Sequence, residues 1–217
     1  MSVTVEQTLE MPDAVLFVQK VQSALSAEKE TRRHFYEIVE ENKKMEFING
    51  EIIFHSPVKL QHNNATGLLY TLLKSFVTKH NLGFVGIEKI MISLSRNDYE
   101  PDICFFGKEK AKNFKRKQVQ FPAPDFVVEV LSDSTAKIDR ETKFQDYAAH
   151  GVREYWIVDA DKEIIEQYVL TSEKYQLLTK AKDGNLESVV LSGLTIPIRA
   201  VFDEQTNLET LVGVLAQ

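Results

Sequence analysis

The chain carries a single cysteine, Cys104, among its 217 residues. One cysteine excludes an intrachain disulfide and a zinc site built on thiolates. Long apolar runs are missing as well. No stretch of 18 apolar residues occurs, so no transmembrane helix is expected. The opening MSVTVEQTLEMPDAV lacks a basic region with an apolar core behind it, so no signal peptide is expected and the default compartment is cytoplasmic. Positive charge is in deficit, with a formal net charge of −6, which argues against a broad basic surface for non-specific nucleic-acid binding. A local basic cleft stays compatible with that balance. Repeats, low-complexity tracts and linkers are absent. What is present, 43% hydrophobic and 27% charged residues over this length, is an ordinary soluble globular composition sized for one large domain.

Periodicity predicts the elements. AVLFVQKVQSALSAE has helical spacing, with Val15, Val18, Val21 and Leu25 as a stripe. The charged residues 31–44 finish that helix or form a loop. MEFINGEIIFHS reads as a β-hairpin turning at Asn49-Gly50. QHNNATGLLYTLLKSFVTKHN is a helix with Leu68, Leu69, Leu72, Leu73 and Phe76 on its apolar side. GFVGIEKIMISL supplies one or two strands, and EPDICFFG and DFVVEVLS one each. The near-continuous apolar run of DFVVEVLS predicts burial on both faces. DRETKFQDYAAHG is a helix stopped by Gly151, with Asp139 as its N-cap and Phe144, Tyr147 and Ala148 as its buried stripe. EYWIVDA, EIIEQYVL, KYQLLTKA, LESVVL and GLTIPI are strands, and the tail LETLVGVLAQ is a short helix or strand. This order predicts an α/β (α+β) fold, a mixed sheet with helices packed on it.

Two carboxylates and a lysine stand out. Asp102 follows Pro101 at the head of one strand, and Glu129 sits in the middle of another, sharing a face with Val127 and Leu131. A charge in a buried strand is costly unless something pairs with it. Two carboxylates on neighbouring strands suit a hard divalent cation such as Mg²⁺, which prefers oxygen ligands and keeps several waters. Such an ion activates a bound water and stabilises charge on a phosphoryl oxygen. Lys143 flanks the buried face of the following helix, where it can orient a water or neutralise developing charge.

Each residue also has a plainer reading. Asp102 can cap a turn, and Glu129 can form a structural ion pair with Lys143 or Arg140. Lys143 alone is compatible with a snorkelling helix lysine, and His62 with a capping or surface residue. Glu51 reads as a hairpin charge, and Tyr155 and Trp156 as core or interface residues. The basic run KEKAKNFKRK, Lys108 to Lys117, is a solvated face or, following the Asp102 strand directly, a phosphate contact. Cys104 shares the strand face of Asp102 and has no histidine placed to activate it.

Taken together, EPDICFF, PDFVVEVLS and DRETKFQDYAAHGVREYWIVD resemble the Uma-type family of restriction-endonuclease-like proteins, within the PD-(D/E)XK nuclease superfamily. MEFINGEIIFHSP matches that family's Glu-x-x-x-Gly-Glu hairpin, and QH before the helix matches its recurring histidine. The resemblance runs from about residue 32 to residue 203. It implies a restriction-endonuclease-like mixed central sheet flanked by helices, occupying residues 32–217 behind an N-terminal helical segment, 1–31. It implies Asp102 and Glu129 as ligands of Mg²⁺ or Mn²⁺, together with the backbone carbonyl of Val130. It places Glu46 and His62 near the cleft, Glu46 as a further metal or water ligand and His62 as a phosphate contact or proton-transfer group. The sequence departs from the superfamily at one point. The lysine expected two residues after the glutamate is Leu131, and the resemblance puts the positive charge at Lys143 instead. A DNA substrate and a homodimer follow from the same resemblance.

Three readings of function come out of this. The first is a metal-dependent endonuclease cutting DNA phosphodiester bonds. The second is a non-catalytic nuclease-like module that binds DNA or a protein. The third is a metal-dependent hydrolase of a smaller phosphoester, which would use the same chemistry.

Overall fold

A computed structural model describes residues 4–39 and 43–216. Helices α1 (Val5–Leu9) and α2 (Ala14–Ile38) come first. A hairpin of β1 (Met45–Ile48) and β2 (Glu51–Phe54) follows, then α3 (Leu60–Lys79), β3 (Gly83–Ile87), β4 (Met91–Ser93), β5 (Asp98–Tyr99) and β6 (Ile103–Gly107). Next are the short α4 (Lys108–Ala111), β7 (Gln120–Phe121) and β8 (Phe126–Val130). One helical segment then runs through α5 (Ala136–Ile138), a π-helical turn (Asp139–Lys143) and α6 (Phe144–Ala149). The strands β9 (Glu154–Asp159), β10 (Ile164–Thr171), β11 (Lys174–Ala181), β12 (Asn185–Glu187) and β13 (Thr195–Pro197) precede a 3₁₀ turn (Ile198–Val201) and α7 (Glu204–Ala216).

The main sheet has six strands in the order β11-β10-β9-β8-β6-β3. It is mixed: β8 and β9 are parallel, and the other neighbours are antiparallel. One face packs on α3 and α7 through Leu69, Leu72, Phe76, Val128, Trp156 and Val214. The other face carries Cys104, Phe106, Val127, Tyr155 and Ile157, covered by Tyr147 of α6 and by Ile92 and Tyr99 of a second sheet. That second sheet runs β2-β1-β5-β4-β7. Residues of β8 are buried on both sides, as the continuous apolar run predicts. Parallel strands need a crossover, and the segment between β8 and β9 is that crossover. It carries α6 over the same sheet face to which Val127 and Glu129 point.

The Asn49-Gly50 turn closes the hairpin as expected, with Ile48 opposite Glu51. Both turn residues have positive φ, 52° and 89°, the combination a two-residue type I′ turn needs. A Cβ at Gly50 would also stand 3.0 Å from Cγ of Glu28. Gly50→Ala is therefore expected to cost about 1–2 kcal/mol in urea unfolding, whereas Asn49→Gly stays within about 0.5 kcal/mol of the parent.

Several elements differ from the sequence expectation. Helix α2 extends to Ile38, and its stripe of Val15, Val18, Val21 and Leu25 is exposed. The helix is held at its C-terminal half, where Phe35 is buried and Arg32 donates to both oxygens of Asp98 at 2.6 and 2.9 Å. The loop alternative for residues 31–44 falls partly on residues 40–42, outside the described residues. GFVGIEKIMISL divides between two different sheets. LESVVL is strand only to Glu187, because the backbone turns at residues 189–192. The tail is a full helix. Asp139 is not an N-cap: the helical segment begins at Ala136, and Asp139 is buried one turn inside it.

Candidate active site

The site lies where β6 begins and β8 ends. Asp102 stands just before β6, paired in register with the far end of β8 through Ile103 and Val128. Its Oδ2 accepts the backbone N–H of Val130 at 2.8 Å, which locks the two strand ends together. Glu129 projects beside it, and both side chains are almost fully buried. They form the floor of a cleft of about 470 Å³, walled by Phe54 to Val58 on one side and by Ser132, Ser134 and Thr135 on the other.

Lys143 is also buried, and its ammonium bridges three carboxylates: Glu46 at 3.0 Å, Glu129 at 3.1 Å and Asp139 at 3.1 Å. The ring of Tyr99 lies 5.7 Å from the same ammonium. The π turn moves Lys143 onto the sheet-facing side, with Asp139 four residues before it. Tyr147, four residues after it, donates its hydroxyl to Glu129 Oε1 at 3.1 Å. The Glu129–Arg140 pair that the sequence allows is not realised, since Arg140 binds Glu166 through its two terminal guanidinium nitrogens.

Glu46 faces inward from β1. Its Oε1 accepts the backbone N–H of Glu100 at 2.8 Å, and its Oε2 lies 3.0 Å from Nε2 of His55. It does not line the cleft. His62, in the first turn of α3, is buried with Nε2 3.4 Å from Asp102 Oδ2, so it belongs to the site and not to the surface. Its Nδ1 is buried with no partner among the described residues. The basic run 108–117 begins at the opposite end of β6 from Asp102, a full strand away. Strand alternation does not bring it to the cleft, and Lys110 and Lys112 pair locally with Asp125 and Glu109.

Lys44 was not singled out from the sequence. It donates to Asp102 Oδ1 at 2.9 Å and approaches Glu88 at 3.8 Å. The signal was available: Lys44 and Glu46 are two apart at a strand start, so they share a face. Asp139 and Tyr147 were legible in the same way, each four residues from Lys143 on a helix.

The electrostatics follow from this geometry. Burial pushes the Glu129 carboxyl well above the usual carboxylate range; Lys143 opposes this, while Asp139, Asp102 and Glu46 add to it. Burial also raises Glu46, but Lys143 and His55 outweigh it and hold Glu46 at about 2. Asp102 is lowered, because His62 and Lys44 overcome its burial. Lys143 is raised despite burial by Glu129, Glu46 and Asp139.

Four buried carboxylates, Glu46, Asp102, Glu129 and Asp139, thus face two ammoniums, with His55 beside Glu46 and His62 beside Asp102. Another buried glutamate shows what a satisfied carboxylate looks like here. Glu154 accepts from Trp156 and Gln167 on one oxygen and from Ser188 and the backbone of Val190 on the other, all at 2.7–2.8 Å. Glu129 has two donors on Oε1 and, among the described residues, no hydrogen bond on Oε2, and it lines the cleft. Among the described residues no group of three His, Cys, Asp or Glu side chains is arranged to hold a metal ion. Two neighbouring carboxylates, with no hydrogen bond on Glu129 Oε2 among the described residues and both Asp102 oxygens accepting from protein donors, have the oxygen chemistry of a hard divalent cation that keeps most of its water, and not that of a closed zinc site.

The fold is that of a nuclease-like mixed α/β protein. It matches the crystal structure of a putative nuclease belonging to DUF820 from Anabaena variabilis with a TM-score of 0.67, covering 77% of this chain and 94% of that one at 18% identity. The model of the Uma2 family, described as "Putative restriction endonuclease", matches residues 32–199, and the chain belongs to that family. Over 147 residues it is 30% identical to the uncharacterized protein sll1609 of Synechocystis, spanning 67% of this chain and 82% of that protein. No helix among the described residues is long and apolar enough to cross a membrane.

Proposed function

We propose that this chain is a metal-dependent endonuclease that hydrolyses DNA phosphodiester bonds at the Asp102–Glu129 cleft. The observation that carries the reading is the oxygen of Glu129 without a hydrogen bond beside Asp102, in a buried cluster of four carboxylates and two ammoniums. Asp102, Glu129 and the carbonyl of Val130 would hold Mg²⁺ or Mn²⁺. When bound, that ion would supply an activated water and a counter-charge for the phosphoryl oxygens.

The chain's own residues do the rest. Lys143 opposes the protonation of Glu129 that burial favours, and it would act on an attacking water through that carboxylate. Glu46 and Asp139 fix the ammonium. His62 holds Asp102 against Val130 and faces the phosphate. Lys44, at 2.9 Å from Asp102 Oδ1, would supply positive charge to a phosphate in the cleft.

A plasmid-nicking assay with Mg²⁺ and Mn²⁺ tests this. Nicking by the parent and none by Asp102→Ala is the expected result. Equal behaviour of the two proteins would remove the mechanism. One observation favours a second reading, a non-catalytic module that binds DNA or a protein: the Lys44 ammonium already sits on Asp102, so the floor is partly neutralised without a metal. Calorimetric titration separates the two. The nuclease reading expects heat of binding at millimolar Mg²⁺ or Mn²⁺ that Glu129→Gln abolishes, and the module reading expects none.

A further inference from the structure

Helix α2 outruns the part of the protein that holds it. Its C-terminal half is fastened: Phe35 is buried, Arg32 binds Asp98, and Arg96 donates to both carboxylate oxygens of Glu28 at 2.7 and 2.6 Å. N-terminal to that tie, no side chain of the helix is buried. Ala14 to Ala27 makes about 21 Å of helix at about 1.5 Å per residue. A helix of that length is marginal in water unless its apolar face is packed. This stretch also holds Val15, Val18 and Val21, and β-branched residues are weak helix formers.

The open face has a pattern. Ala14, Val18, Val21 and Leu25 follow one another at intervals of four, three and four. Continuing by three and four gives Glu28 and Arg32, two residues that fasten the helix. One seam therefore runs along α2, occupied at its C-terminal end and, among the described residues, uncovered over Val18, Val21 and Leu25. Alternating intervals of three and four are the repeat by which one helix packs along another. The positions flanking the open part, Val15, Phe17, Gln22 and Ala24, are uncharged, so a helix laid there meets no like charge. This stretch precedes residue 32, where the family match begins.

Charge identifies the helix that fits. Residues 4–19 carry Glu6, Glu10 and Asp13 and no lysine or arginine. Residues 20–33 carry Lys20, Lys29, Arg32 and Arg33 against Glu28 and Glu30. A second copy laid antiparallel sets each acidic half on a basic half and opposes the helix dipoles, whereas a parallel copy sets like on like. The antiparallel register that interdigitates the two seams puts Val18 against Val21 of the second copy and Ala14 against its Leu25, each contact occurring twice by symmetry. The corner at Met11, just before α2, then reaches a hollow of about 690 Å³ on the other copy, lined by Leu25, Glu28, Arg32, Phe47 and Arg96 where the helix joins the sheets. The two bodies come to lie at opposite ends of the helix pair.

We propose that the open face of α2 is covered by α2 of a second copy, antiparallel, and that the protein is a homodimer joined along this seam. The inference stands apart from the nuclease reading.

Sedimentation velocity on the full chain tests it. A dimer is expected at micromolar concentration. Val18→Glu/Val21→Glu is expected to weaken association at least about a hundredfold, because it forces carboxylates into the seam of both copies. Leu16→Glu, at an exposed position on the opposite side of the helix, is expected to leave the dimer intact. All three positions are exposed, so the body keeps its fold, which the fluorescence of the buried Trp156 checks. Cysteine cross-linking reads the orientation. Under mild oxidation Ala14→Cys/Leu25→Cys should form an interchain disulfide, and neither single variant should. These positions lie about 16 Å apart along one helix, too far to bond within a chain. Cys104 is buried and stays silent.

A chain that is monomeric even at about 100 μM, or a dimer unmoved by Val18→Glu/Val21→Glu, overturns the proposal. Cross-linking by Ala14→Cys alone, which a parallel pair would give, overturns it as well.

Discussion

Glu129→Gln is expected to abolish nicking and at the same time to raise the melting temperature of the metal-free protein. The two effects have one cause. Glu129 is buried among Asp102, Asp139 and Glu46, and burial with these neighbours raises its pKa well above the ordinary carboxylate value of 4.5. An acid whose folded pKa lies above its unfolded one takes up a proton on folding. Its ionised form therefore costs stability, by an amount that grows as pH rises from about 4.5 toward the folded value. Glutamine keeps the shape and keeps an oxygen to accept from Lys143 and Tyr147, but carries no charge. Removing a charge whose folded pKa is raised is worth about 1.4 kcal/mol for each unit that the folded pKa lies above the unfolded one. At about 2–4 °C per kcal/mol for a chain of this size, the gain is readable by calorimetry in EDTA at pH 7. The loss of activity is expected to be about 10³-fold or more, since several kcal/mol of transition-state stabilisation go with the bound cation.

Asp102→Asn serves as the control of opposite sign. Asp102 is held below its ordinary value of 3.8 because His62 and Lys44 outweigh burial. Its charge therefore contributes stability that is present above about pH 3.8 and is lost as pH falls through the lower, folded value. Asp102→Asn should lose both activity and stability. A Glu129→Gln protein that melts below its parent in EDTA would mean that the glutamate is a structural ion-pair member and not a strained ligand.

The fold was largely legible because its signals are local. The Asn49-Gly50 turn, the apolar face of α3 and the run of β8 each declare themselves within a few residues. The carboxylate pair was legible for a different reason: a charge inside FVVEV contradicts its neighbours, and the contradiction is visible without a structure. Lys143 was found from its place on the helix, but not its degree of enclosure, since the three carboxylates around it come from β1, β8 and the crossover itself. The placing of Asp139 failed because a π turn is not marked by periodicity; it shifts the helix start to Ala136 and turns a supposed cap into a buried partner. Of the two readings of the basic run, the solvated face fits and the phosphate contact does not, because closeness in sequence to Asp102 is closeness along a strand, and five extended residues carry the chain to the far end of β6. The exposed stripe of α2 shows the limit of amphipathic reading: Val15, Val18 and Val21 have helical spacing, yet only the end near Phe35 finds a core.

Lys143→Met is expected to be the most destabilising single change at the site. The thioether fills much the same volume, so the loss is electrostatic. Glu46, Glu129 and Asp139 would be left facing one another, all buried, with Lys44 committed to Asp102. Removing one partner from a buried ionic cluster costs about 3–5 kcal/mol, which corresponds to a fall on the order of 6–20 °C. The pH dependence should invert with it. Glu46 now stands at about 2 chiefly because Lys143 overcomes its burial. Without that ammonium the carboxylates become groups of raised pKa that bind protons on folding, so the variant should gain stability as pH falls from 7 toward about 4.5. The double variant Lys143→Met/Glu129→Gln should recover part of the loss, because it removes one of the three repelling charges. Mn²⁺ gives the decisive comparison. A divalent cation on Asp102 and Glu129 would replace part of the missing charge, so Mn²⁺ should raise the melting temperature of Lys143→Met more than that of the parent. A variant that melts low and ignores Mn²⁺ would make Lys143 a packing residue and would leave the cluster without its proposed purpose.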